Sequence, residues 1–198
     1  MKRVFVETNF LIELLRPLPS SGAVELFSRA QKDVVLYLPW VSVPETKRTL
    51  ERIVKEDLGL ADRINKFRIK LLREGTLQKA DQKPYERLED LLKEHQYEAL
   101  KSLNTSVDAA VTKMTIIEPS KAVIQKTMQL FPVKRLPPFD EMVLGAVLTE
   151  AANLYVAGER ELFFCNANTK DFSPKESRAL EAEYGKVGLS YLSDFNVA

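Results

Sequence analysis

Short, continuously apolar segments alternate along the chain with longer segments that have the period of an amphipathic helix. Five of the short segments suit buried strands, and they lie around residues 3–6, 35–39, 115–117, 161–165 and 187–192. Strands that are apolar at nearly every position are typical of parallel sheets covered by helices on both faces. The sequence therefore predicts an α/β fold with three α/β/α layers and a central parallel sheet of about five strands.

The length of 198 residues fits one domain, and a net charge of +1 leaves any affinity for nucleic acid to local patches. Cys165 is the single cysteine and His95 the single histidine, so an internal disulfide is excluded and a zinc site is not expected. Met1-Lys2-Arg3 runs directly into a strand, and no apolar run approaches the roughly 20 residues that span a bilayer. We expect a cytoplasmic protein with no membrane partner.

Residues 43–104 contain few helix breakers and are rich in Lys, Arg, Glu and Leu. Two or three long helices fit this segment, so we expect a single domain over 1–198 with a helical insertion at about 46–113. One predicted helix places four apolar and four basic side chains on separate faces: Leu60, Ile64, Phe67 and Leu71, and Arg63, Lys66, Lys70 and Arg73. The basic residues form either a solvated outer face or a surface that contacts a phosphate backbone.

The segment "PFDEMVLGAVLTEAANLYVA", which starts at Pro138, is apolar nearly all round after its first turn. This pattern predicts a deeply buried helix. Asp140 and Glu141 lie in its first turn, where carboxylates interact favourably with the helix dipole. That interaction is by itself a sufficient structural explanation for one acid.

Acidic residues follow or face the ends of several predicted strands. Glu7 ends the first strand, Glu45 follows the second, Asp140 begins the buried helix, and Asp171 follows the fourth. The carboxyl ends of parallel strands lie at one edge of a sheet, so we expect these four acids to meet in one crevice. Like charges at close range raise one another's pKa, and Mg²⁺ or Mn²⁺ with oxygen ligands is the natural counter-charge. Such an ion activates water and stabilises charge on a phosphodiester.

Four stretches, "VFVETN", "LPWVSVPETKRTLER", "FDEMVLGAVLTEA" and "FFCNANTKDF", resemble in this order the PIN domain family, and in particular bacterial PIN-like domains with a long helical insertion. The resemblance covers nearly the whole chain, although the insertion matches in character more than in sequence. It implies a metal-dependent nuclease, most often an endoribonuclease, that yields 5′-phosphate and 3′-hydroxyl products. RNA is the implied substrate; an antitoxin-like protein and a second copy of the chain are further partners that the family suggests.

The resemblance also implies roles for individual residues. Glu7, Glu45, Asp140 and Asp171 match the family's catalytic acids, and Glu7, Asp140 and Asp171 are the expected metal ligands, with Glu45 as a ligand or a group that orients water. Asn9 braces the first acid, Thr8 or Asn9 hydrogen-bonds water at the metal, and Asn168 lies near the position of another family aspartate. Glu141 is a further supporting acid. Lys170 and the basic residues Arg63, Lys66, Lys70 and Arg73 are candidates for contacting the RNA backbone.

Alternatives stay open at this point. Glu7 taken alone fits a buried acid held by backbone amides, Glu45 a first-turn helix acid, and Asp171 a cap for a helix near Ser173. Two departures from the family, Glu7 in place of aspartate and Asn168 in place of an acid, also suit a nucleic-acid-binding module that is weakened or inactive in catalysis. The longer Glu7 side chain moves a ligand by roughly 1.5 Å, one carbon–carbon bond. A DNA-directed nuclease of the flap type is a further rival.

Overall fold

The computed structural model describes residues 1–15, 19–78, 81–130 and 135–197, and at some helical positions within those ranges only the backbone. The chain forms two compact units. The first contains Met1–Thr46 and Ser106–Ala198, and the second contains Lys47–Thr105. Every strand belongs to the first unit, which also carries the four predicted acids.

The first unit is built on five parallel strands in the order β3-β2-β1-β4-β5. Their bounds are β1 Lys2–Phe5, β2 Val34–Pro39, β3 Met114–Ile117, β4 Leu162–Cys165 and β5 Leu189–Leu192. The chain adds strands outward from β1 to β3 and then returns to the other side of β1 with β4. The strand order therefore reverses between β1 and β4, the position at which parallel sheets of this kind bind ligands.

Alternating side chains on these strands divide the core into two layers. Phe5, Tyr37 and Phe164 point into one hydrophobic cluster, whereas their neighbours Val4, Leu36 and Cys165 point into the other. The first cluster is covered by α5 (Lys121–Leu130), α6 (Pro138–Val156) and α8 (Arg178–Lys186), and the second by α1 (Thr8–Leu15) and α2 (Ser21–Arg29). The predicted three-layer arrangement around a parallel sheet of five strands is confirmed.

Helix α6 is buried on nearly every side after its first turn, as its sequence predicts. Its buried residues include Val143, Leu144, Val147, Leu148 and Ala151. Pro138 opens the helix at a position where the missing N–H leaves no hydrogen bond unmade. A side-chain carbon at Gly145 would lie 2.1 Å from Thr127 Oγ1 of α5, so glycine permits a close approach of these two helices.

Two long helices, α3 (Ser42–Arg73) and α4 (Lys83–Lys113), supply the second unit. Helix α3 ends before Gly75, which has a φ of 70°, and the amides of Thr76 and Leu77 donate to the carbonyl of Leu71. Near this turn Arg68 of α3 pairs with Glu86 of α4 at 2.7 Å. The expected apolar face is only partly buried: Ile64 and Leu71 are half-buried, but Leu60 and Phe67 are 40% and 53% exposed.

Two further helical elements follow β4. They are the four-residue helix α7 (Thr169–Phe172) and a 3₁₀ helix over Pro174–Glu176. Among the described residues, no helix combines the length and the hydrophobicity that a bilayer crossing requires.

Candidate functional site

Glu7 is the most deeply buried of the predicted acids, with 3% of its surface exposed directly after β1. The backbone amide of Asn9 donates to Glu7 Oε2 at 3.0 Å, whereas Glu7 Oε1 is buried without a hydrogen-bond partner. Retention by backbone amides thus accounts for only one of its two oxygens. An unsatisfied buried oxygen costs free energy, so its presence in a native site requires an explanation.

The pKa of Glu7 is raised to about 8, chiefly because burial penalises the charged form. The hydrogen bond from Asn9 opposes this shift, and the negative charges of Glu45 and Asp140 reinforce it. The fold therefore brings Glu45 and Asp140 within electrostatic range of Glu7. A positive charge beside Glu7 would oppose the shift by favouring its carboxylate form.

Glu45 lies half-buried in the first turn of α3. Thr8 Oγ1, in the first turn of α1, donates to Glu45 Oε2 at 2.5 Å. The sequence Ser42-Val-Pro-Glu45 has the spacing of a capping box, but Ser42 Oγ is buried without a hydrogen-bond partner. Glu45 thus contacts the residue that follows Glu7, and the bond to Thr8 fixes one of its oxygens.

Asp140 and Glu141 are both half-buried in the first turn of α6. The charge of Asp140 reaches Glu7, so its position serves more than the helix dipole. Glu141 follows Asp140 in the same turn, where its backbone amide donates to the carbonyl of Pro137 at 3.0 Å.

A loop and short helix after β4 carry the remaining predicted site residues; we call residues 166–172 the site loop. Asn168 Nδ2 donates to Asp171 Oδ2 at 2.8 Å, and both side chains are half-buried. The fully buried Asn166 accepts a 2.6 Å hydrogen bond from the Asn168 amide through its Oδ1, while its Nδ2 has no partner. Lys170 is exposed on α7. Asp171 does not cap the following 3₁₀ helix, because Ser173 Oγ accepts from the Lys175 amide there.

Three buried polar atoms without partners follow the ends of three neighbouring strands in the part of the chain that the structure describes. They are Glu7 Oε1 after β1, Ser42 Oγ after β2 and Asn166 Nδ2 after β4. Together they offer an acceptor, a hydroxyl and an amide donor at one edge of the sheet. Buried polar groups of this kind are usually satisfied by water, an ion or a ligand.

The predicted metal ligands are three carboxylates in the first unit. Among the described residues, no three histidine, cysteine, aspartate or glutamate side chains are grouped at metal-binding spacing. The ligand set Glu7, Asp140 and Asp171 therefore stays a prediction. The chemistry of the donors suits Mg²⁺ or Mn²⁺, since these ions prefer carboxylate oxygens, and Glu7 Oε1 is an oxygen with no other partner.

Four of the five predicted nucleic-acid contacts lie on α3 within the second unit, and we call them the basic face: Arg63, Lys66, Lys70 and Arg73. All four side chains are exposed. Lys70 lies 3.8 Å from Glu74, and Arg63 donates to the carbonyl of Gly59 in its own helix. Exposed pairs at such distances are weak, so the positive charge of this face is largely available to solvent.

Cys165 is a core residue, as its position at the end of an apolar strand predicts. It is fully buried, and burial raises the pKa of its thiol to about 12. A thiol that stays protonated is a poor nucleophile, so Cys165 is not a candidate for catalysis. The candidate ligands at this edge of the sheet are side-chain oxygens.

The structure brings three further residues to this edge that no sequence pattern singled out: Ser42, Tyr184 and Tyr191. Tyr191 Oη donates to the carbonyl of Asn166 and Tyr184 Oη to the carbonyl of Phe172, each at 2.8 Å. The pKa of Tyr191 is raised to about 12 by burial and by the charge of Glu7. Ser42 was detectable as part of the Ser-x-x-Glu spacing, but the tyrosine contacts arise only from tertiary structure.

No family model matches the chain, and a search of curated proteins found no match either.

Proposed function

We propose that the chain is a PIN-like nuclease that hydrolyses RNA phosphodiester bonds with the help of Mg²⁺ or Mn²⁺. The observation that carries this proposal is the state of Glu7. Its buried carboxyl group has an unpartnered oxygen and a pKa raised to about 8, and its neighbours Glu45 and Asp140 are also acidic. A site of this kind is stable in its ionised form only beside a positive charge, which a divalent cation supplies.

Each residue has a distinct task in this proposal. Glu7, Asp140 and Asp171 would hold the cation, which when bound acts as a Lewis acid on water and offsets the charge of the phosphodiester. Glu45 keeps one oxygen bonded to Thr8, so its other oxygen is free to accept a proton or to orient water. The Asn9 amide keeps Glu7 Oε2 in place, which directs Oε1 as the remaining acceptor.

The choice of RNA as substrate is supported by the basic face and by the resemblance to the PIN family. Four exposed cations at intervals of three and four residues on one helix suit contacts to successive phosphates. Lys170, which is exposed on α7 beside Asp171, is a further contact in this proposal. The predicted antitoxin-like partner and the predicted homodimer stay predictions.

A second candidate, a nucleic-acid-binding module with weak or no catalysis, is favoured by one specific contact. Asn168 lies at a position where an additional acid would strengthen metal binding. Its side-chain amide donates a hydrogen bond to Asp171 Oδ2 at 2.8 Å. Metal binding at Asp171 then has to compete with this hydrogen bond. The two candidates agree on nucleic-acid binding and differ in cleavage.

The test is incubation of the purified chain with labelled single-stranded RNA and a DNA strand of the same sequence, with Mn²⁺ or with EDTA. We expect cleavage of RNA that needs Mn²⁺ and falls at least ~100-fold in Asp140→Asn, the upper range for weakened metal sites. Asp108→Asn, an exposed aspartate on α4, is the matched control and should leave cleavage unchanged.

Each other outcome has a definite meaning. Cleavage that persists unchanged in Asp140→Asn would point to a contaminating nuclease and overturn the proposal. Preferential cleavage of DNA would favour the flap-type alternative, and RNA binding without any cleavage would favour the non-catalytic module.

A further inference from the structure

The site loop is short and has little support from its own secondary structure. Helix α7 contains only four residues, fewer than an isolated helix needs to persist in water. The loop nevertheless carries Asn168 and Asp171, whose side chains must hold their positions for the proposed function. Contacts from elsewhere in the fold therefore have to hold the loop in place.

Two tyrosine hydroxyl groups hold the first and last residues of the loop. Tyr191, on β5, donates to the carbonyl of Asn166, and Tyr184, on α8, donates to the carbonyl of Phe172, both at 2.8 Å. The bond from Tyr184 is buried and the bond from Tyr191 is partly buried. Hydrogen bonds of this kind are harder to replace with water than exposed ones, because breaking them leaves a buried carbonyl unpaired.

The two tyrosine rings belong to one aromatic cluster beneath the loop. Their planes are nearly parallel at 2°, with centroids 6.2 Å apart, and both rings meet Phe164 edge-on. Phe172, the last residue of the loop, packs edge-on against the same Phe164 ring at 5.5 Å. Offset and edge-to-face contacts fix ring orientation, so the cluster sets the direction in which each hydroxyl group points.

The backbone of Asn166 is held from both sides as well. Its amide donates to the carbonyl of Leu192 on β5 at 3.0 Å, and its carbonyl accepts from Tyr191. The Asn166 side chain then accepts from the Asn168 amide, and the Asn168 side chain donates to Asp171. A continuous series of hydrogen bonds thus runs from Tyr191 to the carboxylate of Asp171.

We infer that Tyr184 and Tyr191 are positioning residues that clamp the two ends of the site loop and thereby set the position of Asp171. The inference rests on the proposed function for the meaning of that position. Neither tyrosine needs to touch the substrate or a metal ion. The hydroxyl groups act through the carbonyls of Asn166 and Phe172, while the rings maintain the core.

The experiment uses the full chain with Tyr191→Phe, Tyr184→Phe and Tyr155→Phe. The first two changes remove one clamp hydroxyl and keep the ring, so the aromatic core is retained. Tyr155 lies at the end of α6 with its ring against Arg160, and its variant is the matched control for loss of a tyrosine hydroxyl. Hydrogen exchange of residues 166–173 reports on the loop, and calorimetry with Mn²⁺ reports on the site.

We expect each clamp variant to speed amide exchange in residues 166–173 about 2- to 10-fold, the equivalent of one lost hydrogen bond. The Mn²⁺ dissociation constant should rise about 10-fold, as for other groups that orient metal ligands. Tyr155→Phe should change neither quantity. A purely structural role would lower thermal stability and leave Mn²⁺ affinity unchanged.

The two proposals fail in different ways. Unchanged exchange in both clamp variants overturns the clamp, whatever the wild-type chain binds. Faster exchange with unchanged Mn²⁺ affinity overturns the positioning role in a chain that does bind Mn²⁺. If the wild-type chain neither binds Mn²⁺ nor cleaves RNA, the proposed function is contradicted. In that case the amide exchange of the loop alone decides whether the clamp exists.

Discussion

The edge of the sheet and the basic face of α3 both gather charges of one sign, but they do so in opposite surroundings. At the edge, Glu7 is almost fully buried and its pKa is raised to about 8 in the presence of Glu45 and Asp140. On the basic face, all four side chains are exposed. Solvent screens exposed charges, whereas buried like charges need a counter-charge or must lose their ionisation.

This difference shows that burial, more than the number of charges, marks the edge as a site. An exposed group of basic residues has an adequate explanation as a solvated helix surface. A buried acid with an unpartnered oxygen has no such explanation, because each unsatisfied group lowers stability. A role for the basic face therefore depends on the RNA partner that we propose.

The largest effect on Mn²⁺ affinity is expected from Glu7→Gln, which keeps the shape of the side chain and removes its charge. We expect the Mn²⁺ dissociation constant to rise about 10- to 100-fold, because the amide offers a weaker ligand and no counter-charge. Calorimetry measures this constant directly. The control is Glu181→Gln, a change at an exposed position on α8. Equal Mn²⁺ affinities in the two variants would show that Glu7 is not a metal ligand.

The pH dependence of stability gives a second comparison. The pKa of Glu7 is higher in the folded chain, about 8, than the ordinary value of 4.5, so between these values the folded state binds more protons than the unfolded state. Its contribution to stability is therefore fully present below about pH 4.5 and is lost as pH rises to about 8. The slope attributable to Glu7 is at most about 1.4 kcal/mol per pH unit.

Urea unfolding of the metal-free chain at several pH values, compared with Glu7→Gln, measures this slope. We expect the wild-type chain to lose stability relative to the variant as pH increases from 5 to 8, because only the wild type must ionise a buried group. A difference between the two chains that is constant over this range would show that Glu7 ionises normally and would contradict the description of its surroundings.

The smallest effect is expected on the basic face. Lys66→Gln should weaken binding of single-stranded RNA only a few-fold and lower the slope of log affinity against log salt concentration by about 0.7, the value for one phosphate contact. Fluorescence anisotropy in EDTA measures binding without cleavage. Lys83→Gln, an exposed residue at the start of α4, is the control, and equal slopes in both variants would identify the basic face as a solvated surface.

The sheet was predictable because its strands carry a local signal. Each of the five apolar segments corresponds to an observed strand, and the all-round apolar pattern of α6 matches its burial. The long helices were also expected from the scarcity of breakers. The apolar face of α3 was less predictable: Leu60 and Phe67 have helical spacing with Ile64 and Leu71, yet they are substantially exposed, because periodicity identifies a face without showing how much of it is covered.

The proximity of Glu45 and Asp140 to Glu7 could be predicted from the sequence, but the hydrogen bonds of the candidate site could not. Positions at strand ends identified Glu7, Glu45, Asp140 and Asp171, since a parallel sheet places those ends at one edge. The bond from Thr8 to Glu45 joins residues 37 positions apart, and Tyr191 reaches Asn166 over 25 positions. Such pairs depend on the packing of whole elements, which short sequence patterns do not record.

The glycine at position 145 has a consequence for the acid one and a half turns before it. Because α5 and α6 approach so closely at Gly145 and Thr127, the spacing between these helices fixes how far α6 reaches toward the sheet. A larger side chain there would require α5 or α6 to shift, and a shift of α6 would move Asp140 in its first turn. The size of the side chain at position 145 thus affects the position of Asp140, although glycine has no functional group of its own. A substitution between two apolar helix faces would then alter the candidate site without contacting it.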